Sequence, residues 1–302
     1  MLFKQDLLLL QEECNMFNLI RISFYSIITV ILFIVSKSVF ALTASSMTAC
    51  SSSGNVITAA SNPGGGVYGY CRFTPLKYQV AIYEMGVCTA NPMSGTEFNR
   101  TLCSTTFTAT DTTNGDVQDM VQALDGTIIL DGTSTKPALG AYTVPYVIIG
   151  NSVTVRGEFT NGGTTYYGLA NGNIDSTGPS ADYVSTLNTF GASNACDGTY
   201  SGATASNGTI DAYLTDNDLD KKSGAGDFAG GSNGCTGITR LVGIMNLDTP
   251  ISITSNTLNF KFTFNVRNYG TQFIETGGDN VPDLISQGPF SGFFETTEAS
   301  PQ

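Results

Sequence analysis

Six cysteines follow an apolar leader: Cys50, Cys71, Cys88, Cys103, Cys196 and Cys235. With no histidine anywhere in the chain, they are its most reactive side chains. A seventh, Cys14, lies before the leader's apolar core and leaves with it. An even number in an exported chain implies three disulfides. Proximity along the sequence favours Cys50–Cys71, Cys88–Cys103 and Cys196–Cys235, out of the 15 connectivities that six cysteines allow. A metal site is the alternative, but no CxxC pair and no imidazole are present to build one. The missing histidine also excludes Ser-His-Asp and Cys-His catalysis, and oxidised cysteines leave no thiolate nucleophile. Glycoside hydrolysis would need two carboxylates held at a set distance. Glu84, Glu158 and Asp182 are available, yet nothing in the sequence pairs them.

One acidic stretch has metal-ligand spacing. Asp216, Asp218 and Asp220 alternate, and Asp227 falls twelfth from Asp216, as in an EF-hand-type calcium loop. Lys221 stands where such a loop needs glycine, and the bidentate glutamate is missing, so a solvated acidic loop is the competing reading. Calcium here is the single cofactor candidate; none other is expected. Asn99-Arg100-Thr101 and Asn207-Gly208-Thr209 are glycosylation sequons at Asn99 and Asn207. Tyr166-Tyr167, or Tyr68 with Tyr70, could stack on a sugar, although such residues also fit half-buried sheet packing, and no Trp is present.

The elements that position these residues are β-strands. Charged residues make up only 13% of the chain and Gly numbers 34, with Thr, Ser and Asn filling the connections. Such a composition with many short apolar runs reads as strands joined by turns. The clearest strand covers 76–88, with Tyr78, Val80 and Ile82 on one face and Ala81, Tyr83 and Met85 on the other. Further strands are expected at 104–110, 126–130, 146–149, 153–159, 164–167, 210–214 and 251–254. The most regular alternation is Leu258, Phe260, Phe262, Phe264 and Val266. Gly150-Asn151 reads as a turn, and Asn161-Gly162-Gly163 as a hairpin. Residues 117–124 fit a helix or a strand. Residues 170–240 form a loop-rich insertion, and 275–302 a tail. The fold class expected is all-β: a disulfide-stapled β-sandwich of jelly-roll type over 67–302, preceded by an N-terminal extension.

Residues 22–35 form an apolar run suited to a signal peptide and short for a membrane span. Arg21 precedes it, and Val39-Phe40-Ala41 follows, so cleavage is expected after Ala41. The leader is thus 1–41, with translation starting at Met16 and 1–15 not translated; a retained anchor helix is the alternative. The product is secreted or held at the cell surface, with no membrane span after cleavage. Lys4, Arg21 and Lys37 leave together with Asp6, Glu12 and Glu13, so the net charge stays at −12. A surface this acidic excludes nucleic acid as a partner.

Residues 42–66 are small and polar and end in the Gly-rich joint Asn62-Pro63-Gly64-Gly65-Gly66. A cleaved leader, a short extension, a Gly joint and a β-sandwich together resemble secreted fibre subunits that assemble by strand exchange. The resemblance implies that Leu42–Ser61 adds a strand to a neighbour's sheet, with Val56 and Ile57 as the inserted apolar residues. The alternative is that residues 42–66 fold back within the same subunit, tied by Cys50–Cys71, which would leave only the portions on either side of Cys50 free to exchange. Its six cysteines, larger size and lack of an aromatic C-terminal strand signature separate the chain from chaperone–usher pilins. It is closer to the jelly-roll glycoprotein fibrils of aquatic microbes. The function expected is a structural subunit of an extracellular fibre or surface assembly, with itself as partner in a homopolymer. A secreted adhesin or glycan-binding module is the alternative, and a secreted hydrolase a more distant one. The chain is not expected to be an enzyme.

Overall fold

The computed structural model describes residues 21–23, 49–52, 57, 69–122, 127–191, 194–205, 208–231, 234–288 and 291–298. The Ala41 cleavage site, residues 1–15, Val56 and Asn207 lie outside the described residues. Among the described residues no helix is long and apolar enough to cross a membrane.

The structure is all-β. In chain order the strands are β1 (Arg21–Ser23), β2 (Gly69–Phe73), β3 (Lys77–Cys88), β4 (Cys103–Ala109), β5 (Asp116–Asp119), β6 (Thr127–Ile129) and β7 (Gly132–Ser134). There follow β8 (Gly140–Tyr142), β9 (Val144–Arg156), β10 (Glu158–Asn161), β11 (Thr164–Gly168), β12 (Ile174–Asp175), β13 (Tyr183–Thr186) and β14 (Thr199–Ala205). The last are β15 (Gly208–Thr215), β16 (Arg240–Leu247), β17 (Ile251–Ile253), β18 (Thr257–Asn265), β19 (Thr271–Glu275), β20 (Leu284–Gln287) and β21 (Ser291–Glu298).

The largest sheet runs β14-β15-β16-β9-β3-β4-β7, with β13 also on β9 and β5 also on β3. Its spine is the antiparallel pair β3 and β9, the two longest strands. Tyr78, Val80 and Ile82 point from β3 into the main core, as their alternation requires. Phe262 and Phe264 of the β18–β21 sheet, and Val266 just beyond β18, meet them, with the Tyr78 and Phe264 rings 6.0 Å apart. One sheet therefore packs face to face on another, the layering of a sandwich.

Four local readings change. Gly150-Asn151 is not a turn: it lies inside β9, where Gly150 pairs with Arg240 of β16, while the β3 register jumps from Val80↔Val153 to Ile82↔Ile149 and leaves residues 150–152 as a bulge opposite β3. The described part of the segment 117–124, residues 117–122, resolves into the end of β5 and a turn, because the Asp119 carboxylate accepts from the backbone N of both Tyr78 and Val121. The segment 170–240 is more than loops, since β14 and β15 extend the largest sheet. The expected tail contains β20 and β21, which pair with β19 and β18.

The three disulfides join Cys50–Cys71, Cys88–Cys103 and Cys196–Cys235, the pairs that proximity favours. Three such bonds in one chain indicate an oxidising environment.

Candidate strand-docking site

A second, smaller core lies at the edge of the sandwich. Cys71, Phe273 and Ile285 stand in register across β2, β19 and β20, and Phe73 follows Cys71 on the same face. The Phe73 and Phe273 rings meet edge-on at 4.6 Å. Beyond β20 the wall continues into β12 through an Asn173–Leu284 bridge, with Ile174 N donating to Asp283 O and Ile285 N to Gly172 O. β12 pairs with β11, and β11 with β10. The β10–β11 hairpin turns on Gly162 (φ +54°) and Gly163 (φ +89°), two left-handed positions of the kind a tight primed turn needs. Phe159, Tyr166 and Ile174 add to the same apolar cluster.

The N-terminal segment closes this wall. Ala49 bridges to Arg72 in parallel, and Cys50 N donates to Arg72 O (2.9 Å). On the other side, Asn161 Nδ2 donates to Ser51 O (2.6 Å) and Gly162 N to Ser52 O (3.4 Å). Residues 49–52 thus span from β2 to the tip of the β10–β11 hairpin, completing a ring of strands around the small core. Ile57 then enters that core at 0% exposure, against Cys71, Phe73, Phe273 and Ile285. The segment is held by main-chain bonds, one amide side chain, one apolar anchor and the Cys50–Cys71 bond. Those are the means by which an added strand is recognised: backbone bonds give affinity and a side-chain pocket fixes register.

The opposite face of the same wall is polar. Arg72, Gln272 and Ser286 stand in register across β2, β19 and β20, all buried. Gln272 Nε2 donates to Ser286 Oγ (2.9 Å), and Arg72 lies over the Tyr70 ring at 4.8 Å. Burial lowers the Arg72 pKa to about 10.

The remaining sequence candidates have their own local partners. Asp216 forms an ion pair with Lys222 (2.6 Å) and accepts from the backbone N of Asp218 and Asp220. Burial opposes its charged form, but the Lys222 and backbone hydrogen bonds outweigh it, and its pKa falls. Asp227 accepts from Ser223 N. Of the four aspartates Asp216 is the one held by an ion pair, Asp218 and Asp220 donate backbone N–H groups to it, and Asp227 belongs to a separate short 3-10 turn, Ala225–Asp227. Among the described residues no group of three or more His, Cys, Asp or Glu side chains is placed to share a metal ion. Asn99 caps a short 3-10 turn (Arg100–Leu102), its Oδ1 accepting from both the N and the Oγ1 of Thr101. Asp182 is gripped by Lys77 (2.6 Å) and Arg156 (2.7 Å), while Glu158 accepts from Ser180 Oγ.

One cluster has no signature in the sequence. Glu84 is buried on β3, and Arg100 Nη1 donates to both its oxygens (2.7 and 2.9 Å). Tyr146 Oη and Thr105 Oγ1 add bonds to Oε1 (2.6 and 3.2 Å). Arg100 lies in the loop closed by Cys88–Cys103, and Phe98 of that loop packs edge-on against Tyr146 at 5.1 Å. The carboxylate thus clamps the loop onto the sheet. Its hydrogen bond raises the Arg100 pKa against partial burial, and burial followed by the negative neighbour raises that of Tyr146. Gly86 makes the approach possible, since a Cβ there would lie 2.6 Å from the Tyr146 ring.

No protein-family model, curated protein or solved structure matches this chain.

Proposed function

We propose that the protein is a secreted structural subunit of an extracellular fibre or surface assembly, joined head-to-tail by exchange of its N-terminal strand. One observation carries this reading. Residues 49–52 bridge β2 to the β10–β11 hairpin and Ile57 fills the small core, and each of these contacts could be made equally by a second copy's segment. Residues 58–68, with Pro63-Gly64-Gly65-Gly66, separate it from β2. An element passed from one copy to the next in this way does not close on itself, and it generates a filament. Three disulfides and an apolar leader support export. The net charge of −12 keeps unassembled copies apart.

Electron microscopy of the purified chain from Leu42 onward tests the proposal. Filaments are expected, and they should be lost when residues 42–61 are deleted from an otherwise folded protein. A preparation that stays monodisperse at high concentration would contradict it.

A further inference from the structure

We propose that in the assembled form Cys50 of one copy is bonded to Cys71 of the next, so that the strand exchange is covalently locked. The inference rests on the strand-exchange reading and names the contact that secures it. The geometry points to it in three ways.

First, Cys50 belongs to the exchanged element and Cys71 to the wall that receives it. Cys50 N bonds to Arg72 O, and the two Cα atoms are 4.7 Å apart. Any segment seated in this position brings its Cys50 against Cys71, whichever copy supplies it. Second, Ala49 pairs with Arg72 in parallel. A chain that pairs in parallel with its own next strand must cross back along the full strand length before it can start again. Within one copy, residues 53–68 are the stretch of sequence available for that return. A segment arriving from a second copy makes the same parallel contact without closing any loop, exchanging the loop-closure cost for that of association. Third, the reach is sufficient. Twelve residue steps from Ile57 to Gly69 span about 40 Å when extended. A domain of 261 residues, 302 less the leader's 41, has a radius of gyration of about 18 Å.

The other two disulfides cannot exchange in this way. Cys88 and Cys103 face each other directly in the β3–β4 pairing, and Cys196–Cys235 lies within the body of the fold. The chemistry is an ordinary oxidation. The Cys50 thiol of one copy and the Cys71 thiol of the next lose two electrons and two protons to a disulfide-bearing oxidant. The S–S bond forms as that oxidant is reduced to its two thiols.

Isotopic mixing tests the lock. Equal amounts of natural-abundance and 15N-labelled chain from Leu42 are mixed in the reduced state and refolded with oxidised glutathione. After assembly and proteolysis, the disulfide-linked peptides are weighed. The proposal expects Cys50–Cys71 pairs in a ratio near 1:2:1 for light, mixed and heavy, while Cys88–Cys103 and Cys196–Cys235 pairs stay unmixed and report the absence of scrambling. Filaments should also persist as a ladder of multimers in denaturant without reductant and collapse to monomer when reductant is added. Filaments seen by microscopy but with unmixed Cys50–Cys71 pairs would overturn the lock and leave strand exchange standing. Unmixed pairs with no filaments would overturn both.

Discussion

Truncating Ile57 to alanine should cost the fold about 3–4 kcal/mol, an unusual penalty for a residue in an N-terminal extension. Ile57 has no exposed surface and belongs to one buried apolar cluster with Cys71, Phe73, Phe273 and Ile285. Removing its three outer carbons loses about 2.4 kcal/mol of transfer free energy at ~0.8 kcal/mol per methylene. A residual cavity of roughly 50 Å3 adds about 1.2 kcal/mol at ~24 cal/mol per Å3. Ile57→Val, which loses one carbon, should cost about 1 kcal/mol. Val184→Ala, at a position 58% exposed, should stay within about 0.5 kcal/mol. The assay is urea unfolding followed by tyrosine fluorescence. With a slope near 3 kcal/mol/M for a chain of this size, Ile57→Ala should lower the midpoint by about 1 M without changing the slope. A shift for Ile57→Ala no larger than that of Val184→Ala would refute the claim that this residue anchors the extension in the small core.

Other perturbations probe the supports of the fold. Tyr146→Phe removes the hydroxyl that donates to Glu84 and should cost about 2 kcal/mol, since bonds to a buried charge are worth ~1.5–3 kcal/mol; thermal unfolding reads it out. Replacing Cys196 and Cys235 together by Ser opens a span of 39 residues and should destabilise by about 4 kcal/mol, against about 3 kcal/mol for the 15-residue span of Cys88–Cys103; the order of the two urea midpoints checks this. Asp182 has its pKa lowered chiefly by the Lys77 hydrogen bond and also by Arg156. Its contribution is therefore complete above its ordinary value of 3.8 and is lost as pH falls through the lower folded value. The midpoint gap between wild type and Asp182→Asn should be constant from pH 7 to 5 and close below about pH 3.8; a gap independent of pH down to acid unfolding would contradict the pairing.

Local features of the fold were legible in the sequence because local rules dictate them. Strict alternation placed β3, and it placed Phe262 and Phe264 of β18 on the core side. The Asn161-Gly162-Gly163 turn announced the β10–β11 hairpin, because few residues other than glycine accept its two positive φ angles. Features set by distant partners were not legible. Gly150-Asn151 looks like a turn by residue type, yet it continues β9, where Gly150 pairs with Arg240 of β16 and Asn151 N donates to Thr239 O. β21 looked like tail because its partner β18 becomes its neighbour only in the fold. The Glu84, Arg100, Tyr146 and Thr105 cluster draws on β3, the loop before β4, β9 and β4, and no spacing rule links them. The aspartates around Asp216 have calcium-like spacing, but Lys222, close in sequence, takes the first carboxylate as its counter-ion. Of the docking site, the apolar character of Ile57 and the Gly-rich joint could be read directly. The ring of strands that receives Ile57 could not, since it is assembled from β2, β10–β12, β19 and β20.

Strand exchange requires that the N-terminal element be a separable strand that another copy can supply. A synthetic peptide of residues 42–61 carrying Cys50→Ser, added during assembly of the chain from Leu42, tests this most directly. Occupying the seat without offering a body to continue from, it should terminate growth, so that mean filament length by electron microscopy falls with peptide concentration while an Ile57→Asp peptide has no effect. Filaments that keep their length at a large excess of the first peptide would contradict the claim.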